Sequence, residues 1–418
     1  MPHFRIKCKS CGTVLKDTYC AFCEHCVNAL LVTEYNDIKF NADCGDGLWR
    51  FNWLPVHNPE FAQSGPVVYH SKSLGGRLGL ENLFIAFNGY WPEQGADVQT
   101  CTFKEYEAAV ALENARENGM NGLVVASAGN TARAFAHISS KSDFPIIIVV
   151  PKMCLREMWY LVESIRVPTI ALSDGDYADS IDLARRISSI LEMPFEGGVK
   201  NIAKRDGLGV VLMEAVRVMG RLPDHYVQAV GSGTGAIGVW EMAERFLLDG
   251  RYGKRLPELH LAQNLPFAPM VKAWKRRSRQ LDPADLDPSL INLITTRVLS
   301  NRYPAYSVTG GVFDALSICG GDMYGVENDE VFYAMRLFED TEGIDIVPAS
   351  GVAIAALLKA VEKGKIKKQD TVLLNITGGG ERRIEKERGT FIVEAIFVSK
   401  NTNDRELEEI LCKQLKTG

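Results

Sequence analysis

Three short stretches hold residues whose types and spacing could do chemistry. Glu105 lies three residues after Thr102, the spacing of a capping box, so Thr102 is expected to cap a helix with Lys104 in its first turn. The dipole of such a helix disfavours an ammonium at that end, which favours a neutral, nucleophilic amine. Ser127-Ala128-Gly129-Asn130-Thr131 leads from a buried strand into a helix whose first N–H groups are free to hold an anion. Gly231-Ser232-Gly233-Thr234-Gly235-Ala236-Ile237-Gly238 follows another strand. Its glycines let the backbone approach an anion closely and the next helix adds its positive end, which makes a phosphate cradle. Gly233-x-Gly235-x-x-Gly238 also fits a dinucleotide fingerprint, which needs an acidic residue at the end of the next strand. Residues 259–262 run into Gln263-Asn264 instead, so a lone phosphate group is the expected ligand.

A second kind of chemistry is suggested near the N-terminus. Cys8-x-x-Cys11 and Cys20-x-x-Cys23 are two knuckles, each able to bring two thiolates onto one tetrahedral ion. Cys8, Cys11, Cys20 and Cys23 are therefore the expected ligands of a structural zinc, with Cys26 a competing fifth thiol and reduced, unligated thiols the alternative. Cys101, Cys154, Cys319 and Cys412 are scattered in apolar surroundings and read as small core residues in a reducing compartment.

The elements that must position these residues follow an alternating pattern. A chain of 418 residues, 46% hydrophobic, holds two or three domains. A net charge of −5 argues against general nucleic-acid binding, and the longest apolar run, 144–151, is too short to span a bilayer. A soluble cytoplasmic protein is expected. Residues 30–35 and 49–53 read as strands beside the cysteines, and 67–69, 83–87, 123–126, 146–150 and 169–172 as further strands. Helices are expected over 153–164, 177–191 and 209–219, with 201–208 as a polar crossing. Beyond the glycine-rich turn, 274–302 reads as helix and loop that cover the site, 371–376 as the last core strand, and 404–415 as an amphipathic helix. Successive strand–helix units of this kind build a parallel sheet.

With these elements in place, the three stretches resemble signatures of fold type II pyridoxal-phosphate enzymes. Thr102-Phe103-Lys104-Glu105, Ser127 to Thr131 and Gly231 to Gly235 stand in the same order with similar spacing. The layout over residues 65–395 is similar to the threonine synthase branch, which also has members with a cysteine-bearing N-terminal segment. The resemblance implies an α/β fold of the tryptophan synthase β type, with two open parallel-sheet domains. Residues 1–60 would form the cysteine-rich segment, 96–205 the small domain, and 61–95 with 206–418 the large domain. Lys104 would carry pyridoxal 5'-phosphate as a Schiff base and move the substrate's Cα proton. Asn130 would hydrogen-bond the cofactor's phenolic oxygen, Ser127 and Thr131 would hold the substrate carboxylate, and Gly231, Ser232, Gly233, Thr234 and Gly235 would bind the cofactor phosphate. Thr377 would face the pyridine nitrogen. A neutral hydroxyl there does not enforce ring protonation, so loss of a β leaving group is favoured over transamination.

The chain departs from that branch before and after the lysine. An Asn-Pro-Thr-Gly-Ser lead is replaced by Gln94-Gly95-Ala96-Asp97-Val98-Gln99-Thr100-Cys101-Thr102, and Lys-Asp-Arg by Lys104-Glu105. Within that resemblance, these departures point to the members that carry out β-replacement, in which O-phospho-L-serine would lose phosphate and take up sulfite to give L-cysteate, a step towards coenzyme M. Isomerisation of O-phosphohomoserine, as in threonine synthase, is the alternative, and a non-catalytic zinc-bearing binding protein on a degenerate fold is the third reading. Both substrates are anionic, so basic side chains are expected nearby, with Arg77, Lys152, Lys200, Lys204, Arg302, Arg382 and Arg383 as candidates. The expected partners are small molecules and further copies of the chain in a homo-oligomer, with no nucleic acid or membrane.

Overall fold

Aliphatic and β-branched runs set the two main sheets in the computed structural model, which describes residues 3–163 and 167–415. The larger has the strand order Gly321–Val326, Glu258–Asn264, His225–Ala229, Thr371–Ile376, Asn82–Phe87 and Val67–His70. Five of its strands are parallel, and Val67–His70 runs antiparallel at the edge. His225–Ala229 and Thr371–Ile376 are buried at every position, as central strands covered on both faces must be. The smaller sheet is all parallel, in the order Ile396–Val398, Thr169–Leu172, Ile146–Pro151 and Leu123–Ala126.

Four helices pack in succession. Lys104–Glu117, buried without a break from Glu105 to Ala115, packs against Asn130–Ser142 on one side and Ile202–Met219 on the other. Ile202–Met219 in turn packs on Thr234–Asp249. Glycine makes these approaches close. A Cβ on Gly207 would lie 2.8 Å from Tyr106 O, and one on Gly238 would lie 2.3 Å from Arg205 O. The last glycine of the Gly-x-Gly-x-x-Gly pattern thus serves helix packing.

Several elements differ from the sequence reading. Residues 49–53 form no strand; Gly47–Arg50 is a 3-10 turn. The indoles of Trp49 and Trp53 donate to Phe61 O and Asp37 O, folding that stretch as loop. In place of a helix over 153–164, Lys152–Glu157 is a 3-10 segment and Trp159–Tyr160 pairs with Phe391–Ile392, while Ser164 lies outside the described residues. The guanidinium of Arg133 donates to Glu157 O and stacks on Trp159, which fixes the chain in that irregular path. The crossing at 201–208 is helical, because Asn201 accepts from the Ala203 and Lys204 N–H groups and caps Ile202–Met219. The chain also returns late to the smaller sheet: Ile396–Val398 pairs with Thr169–Leu172 and Asp404–Leu415 packs on Tyr177–Leu191. The end of the 206–418 stretch therefore packs with the elements of 96–205. No helix among the described residues is long and apolar enough to cross a membrane.

Candidate active site

Lys104, Ser127, Asn130, Thr131, Gly231, Ser232, Gly233, Thr234, Gly235 and Thr377 line one cleft. It opens at the carboxyl ends of the strands, where Ala126, Ala229 and Ile376 give way to turns, as ligand sites of open α/β sheets do.

The lysine is placed by a strained, buried loop. Cys101 takes a left-handed conformation at φ 53°. Thr102 then bridges to Gly378, and the Phe103 N–H donates to Thr377 O at 2.9 Å. The start of the lysine helix is thereby tied to the end of the Thr377 strand. The expected capping box between Thr102 and Glu105 is not formed, because Thr102 is drawn into that bridge. Glu105 instead accepts from the Thr100 N–H and hydroxyl, both at 2.8 Å, and from Gln63 Nε2 at 2.7 Å.

The charge at the mouth of the helix is balanced by a residue the sequence reading did not single out. Lys104 Nζ lies 3.1 Å from Glu107 Oε2. Glu107 Oε1 accepts from the Thr131 hydroxyl at 2.9 Å and stands 3.6 Å from Lys204 Nζ, which donates to Glu196 Oε2 at 2.6 Å. Burial works against the charge of Glu107, yet Lys104 and Lys204 hold its carboxyl below the ordinary range. Burial likewise opposes the charge of Lys204, and Glu107 with Glu196 pushes it well above the ordinary lysine value. The helix dipole alone favours a neutral amine; the structure sets a carboxylate beside it. The spacing of Lys104 and Glu107 is the usual i,i+3 contact, but only the burial of the whole helix makes it decisive.

The glycine-rich turn fits a phosphate. Gly233 has φ +86°, and a Cβ there would lie 2.3 Å from Val312 Cγ2. A Cβ on Gly231 would meet Leu299 Cα at 3.0 Å, and one on Gly235 would meet Gln228 Nε2 at 2.8 Å. The first N–H groups of Thr234–Asp249 have no intrahelical acceptor. Of these, the Thr234 N–H reaches Ser232 Oγ at 3.3 Å, and the Ser232 and Thr234 hydroxyls are 2.8 Å apart. Across the cleft, the side chains of half-buried Asn130 and buried Thr377 make no hydrogen bond among the described residues. A phosphate cradle, an amine and two polar groups without protein partners match the needs of pyridoxal phosphate: an anion, an aldehyde, a phenolic oxygen and a ring nitrogen.

The basic candidates divide. Lys204 and Lys200 line a cavity that adjoins the cleft past Lys104, Glu107 and Thr131, joined by Arg185 and walled by Ala21 and Phe22 of the cysteine-rich segment. Arg302 pairs with Asp176 at 2.7 Å and lines a further recess beside Ala128 and Tyr177. Arg382 and Arg383, on the helix Glu381–Arg388, pair with Glu339 and with Glu93 and Glu387 respectively, and Arg77 and Lys152 are exposed. None of these four lines the cleft.

The cysteine cluster differs from the expected set by one ligand. The sulfurs of Cys8, Cys11, Cys23 and Cys26 lie within 4.8 Å of one another, a four-thiolate arrangement compatible with zinc. Cys20 is outside it, its thiol directed at Asp17 O. The knuckle that faces Cys8 and Cys11 is Cys23-x-x-Cys26, where the Cys26 N–H donates to Cys23 O. Cys20 precedes that turn.

Comparison with known proteins agrees with this geometry. Residues 95–378 match the family model described as pyridoxal-phosphate dependent enzyme. A protein from Methanosarcina barkeri called cysteate synthase is 45% identical over 98% of this chain and 100% of its own length. One of the same name from Methanocella paludicola is 47% identical over 93% and 92% of the two chains. Among solved structures, maize serine racemase superposes with a TM-score of 0.56 at 16% identity, covering 75% of this chain and 89% of its own. Threonine deaminase isoform 2 from Solanum lycopersicum gives 0.56 at 18%, covering 78% and 88%. At such identities the two structures speak for the fold, which is that of fold type II. With a family match over most of its length and near-full-length relatives of one name, the chain belongs to the pyridoxal-phosphate-dependent enzymes, in the group formed by its cysteate synthase relatives.

Proposed function

We propose that this chain converts O-phospho-L-serine and sulfite to L-cysteate and phosphate. The observation that carries this reading is the near-full-length similarity to proteins called cysteate synthase, at 45% and 47% identity. The cleft supports it with separate places for separate anions.

Pyridoxal phosphate, when bound, supplies the electron sink that lets Cα give up its proton and the β-carbon its leaving group. The chain's own residues do the rest. The N–H groups and hydroxyls at 231–235 hold the cofactor phosphate, while Asn130 and Thr377 orient its ring. Ser127 and Thr131, at the start of Asn130–Ser142, hold the substrate carboxylate. Lys104 takes the Cα proton and returns it. The β-carbon–oxygen bond breaks with its electron pair leaving on phosphate, and a lone pair on the sulfur of sulfite forms the new carbon–sulfur bond. In the adjoining cavity Lys204 is paired with Glu107 and Glu196 and Arg185 with Asp182, so Lys200, which has no ion pair among the described residues, is the cation there that would meet a second anion.

The experiment is to incubate the protein loaded with pyridoxal phosphate with phosphoserine plus sulfite, and separately with O-phosphohomoserine. Cysteate and stoichiometric phosphate are expected from the first mixture. Threonine from the second without cysteate from the first would overturn the reading.

A further inference from the structure

At the amino ends of the strands of the larger sheet, opposite the cleft, three side chains converge that the chemistry above does not use. His225 opens the strand His225–Ala229, and Glu258 opens the adjacent Glu258–Asn264, with His225 paired to Glu258 in register. Glu258 and His260 are two residues apart, so their side chains share a face, and the structure brings His225 to that same face. His260 is fully buried, His225 nearly so, and the Glu258 side chain is half exposed.

Each histidine has one ring nitrogen held by an outer partner. His225 Nε2 lies 3.1 Å from Asp370 Oδ2, itself fixed by the Lys367 N–H at 2.7 Å. His260 Nδ1 lies 2.9 Å from the Tyr324 hydroxyl. The remaining nitrogens, His225 Nδ1 and His260 Nε2, are 3.0 Å apart and stand 3.7 and 4.0 Å from the same oxygen, Glu258 Oε2. A tetrahedral zinc ion with bonds of about 2.0–2.1 Å holds its ligand atoms about 3.3 Å apart. The three separations bracket that value, so shifts of a few tenths of an ångström, taken mainly by the exposed Glu258, would close the site. An imidazole oriented through its far nitrogen by a carboxylate or hydroxyl is the outer-sphere arrangement that metal-binding histidines need.

From this geometry we propose that His225, His260 and Glu258 bind a divalent ion of the zinc class, with the fourth position open on the exposed side of Glu258. The site is independent of the cysteine cluster and of the cleft. Without metal, the donors run from Tyr324 to His260 Nδ1, from His260 Nε2 to His225 Nδ1, and from His225 Nε2 to Asp370. Binding needs the His260 proton on Nδ1, donated to the Tyr324 oxygen, and nothing is oxidised or reduced. The ion would clamp the neighbouring strands at their amino ends.

The test strips the full-length protein with a chelator, titrates it with Zn2+, counts bound metal, and reads the ligand atoms by X-ray absorption. Alongside any sulfur-bound zinc, one ion per chain with nitrogen and oxygen ligands is expected. His260→Gln removes that ion, and Glu258→Gln weakens its binding tenfold or more while leaving the sulfur-bound signal unchanged. Should His260→Gln fail to fold, the half-exposed Glu258→Gln alone decides. Zinc bound only through sulfur, or nitrogen- and oxygen-bound zinc that Glu258→Gln does not weaken, would overturn the proposal.

Discussion

Lys104 Nζ stands 3.1 Å from Glu107 Oε2, one turn further along a helix that is buried from Glu105 to Ala115. That contact sets a carboxylate between the lysine of the cleft and the hydroxyl of Thr131, with Lys204 behind it. Glu107 thus joins the residue assigned to proton transfer, one assigned to the substrate carboxylate, and, through Lys204, the wall of the adjoining cavity.

Glu107→Gln is expected to lower turnover about 10- to 100-fold, the range of a misplaced proton-transfer group, while cofactor binding through 231–235 persists. Removing one partner of a buried pair also costs about 3–5 kcal/mol, so the melting temperature should fall as well. Glu107→Asp, which keeps the charge on a shorter stem, should recover part of both. Steady-state kinetics and thermal melts of the two variants check this. A Gln variant as active as the parent would refute the positioning role.

The same pair makes a prediction about pH. Lys104 and Lys204 hold the folded Glu107 below its ordinary value of 4.5 against the opposing effect of burial. A depressed carboxyl contributes stability that is fully present above the unfolded value and is lost as pH falls through the lower folded value. The gap in melting temperature between the parent and Glu107→Gln should therefore be constant near neutrality and narrow only below about pH 4.5. Melts across pH 3 to 7 would show it.

Lys104→Ala should lose turnover by several orders of magnitude, roughly 10³-fold or more, because Lys104 is the one lysine among the described residues that line the cleft. Cofactor can still be held by the cradle. Exchange of the substrate's Cα proton with solvent deuterium, followed by NMR, gives the sharper readout. Exchange at the parent's rate in the variant would remove Lys104 from the role.

What was legible in the sequence was local. Lys104, the turn at Ser127 to Thr131 and the glycines at 231–235 each depend on a handful of contiguous residues and on a strand–helix junction, which spacing reveals. Glu107 was missed because its importance comes from burial by two other helices, which no local pattern encodes. Cys20 was preferred over Cys26 because both make a two-residue-spaced knuckle with Cys23, and only the direction of the chain after Asp17 separates them. The strand Ile396–Val398 pairs with a partner more than two hundred residues earlier, beyond the reach of periodicity. The helix through 201–208 was obscured by Gly207, which lowers helix propensity yet lets the neighbouring helix approach.

Gly233→Ala tests the cradle. The new Cβ would sit 2.3 Å from Val312 Cγ2 at a backbone φ of +86°, so both the packing and the conformation resist it. A left-handed alanine costs about 1–2 kcal/mol before the clash is counted. Retention of pyridoxal phosphate after desalting should fall at least tenfold. The double variant Gly233→Ala, Val312→Ala relieves the contact but not the backbone strain, so only partial recovery is expected. Full retention in the single variant would mean that the turn does not hold the phosphate.

The cysteine cluster gives a contrast within one short segment. Cys26 lies with Cys8, Cys11 and Cys23, whereas the Cys20 thiol is directed at Asp17 O. Four thiolates close a tetrahedral site, so losing any one opens it to water and weakens zinc by far more than a neighbouring change can. Cys26→Ser should therefore release zinc to a colorimetric chelator at concentrations at which the parent retains it, and Cys20→Ser should behave as the parent. The segment also reaches the adjoining cavity, where Phe22, between Cys20 and Cys23, forms part of the wall with Lys200 Nζ 4.2 Å from its ring. Loss of the ion should loosen that wall. For Cys26→Ser, KM for sulfite is then expected to rise while KM for phosphoserine stays near that of the parent, a split that general unfolding would not produce. If Cys20→Ser releases zinc and Cys26→Ser does not, the ligand set read from the structure is wrong.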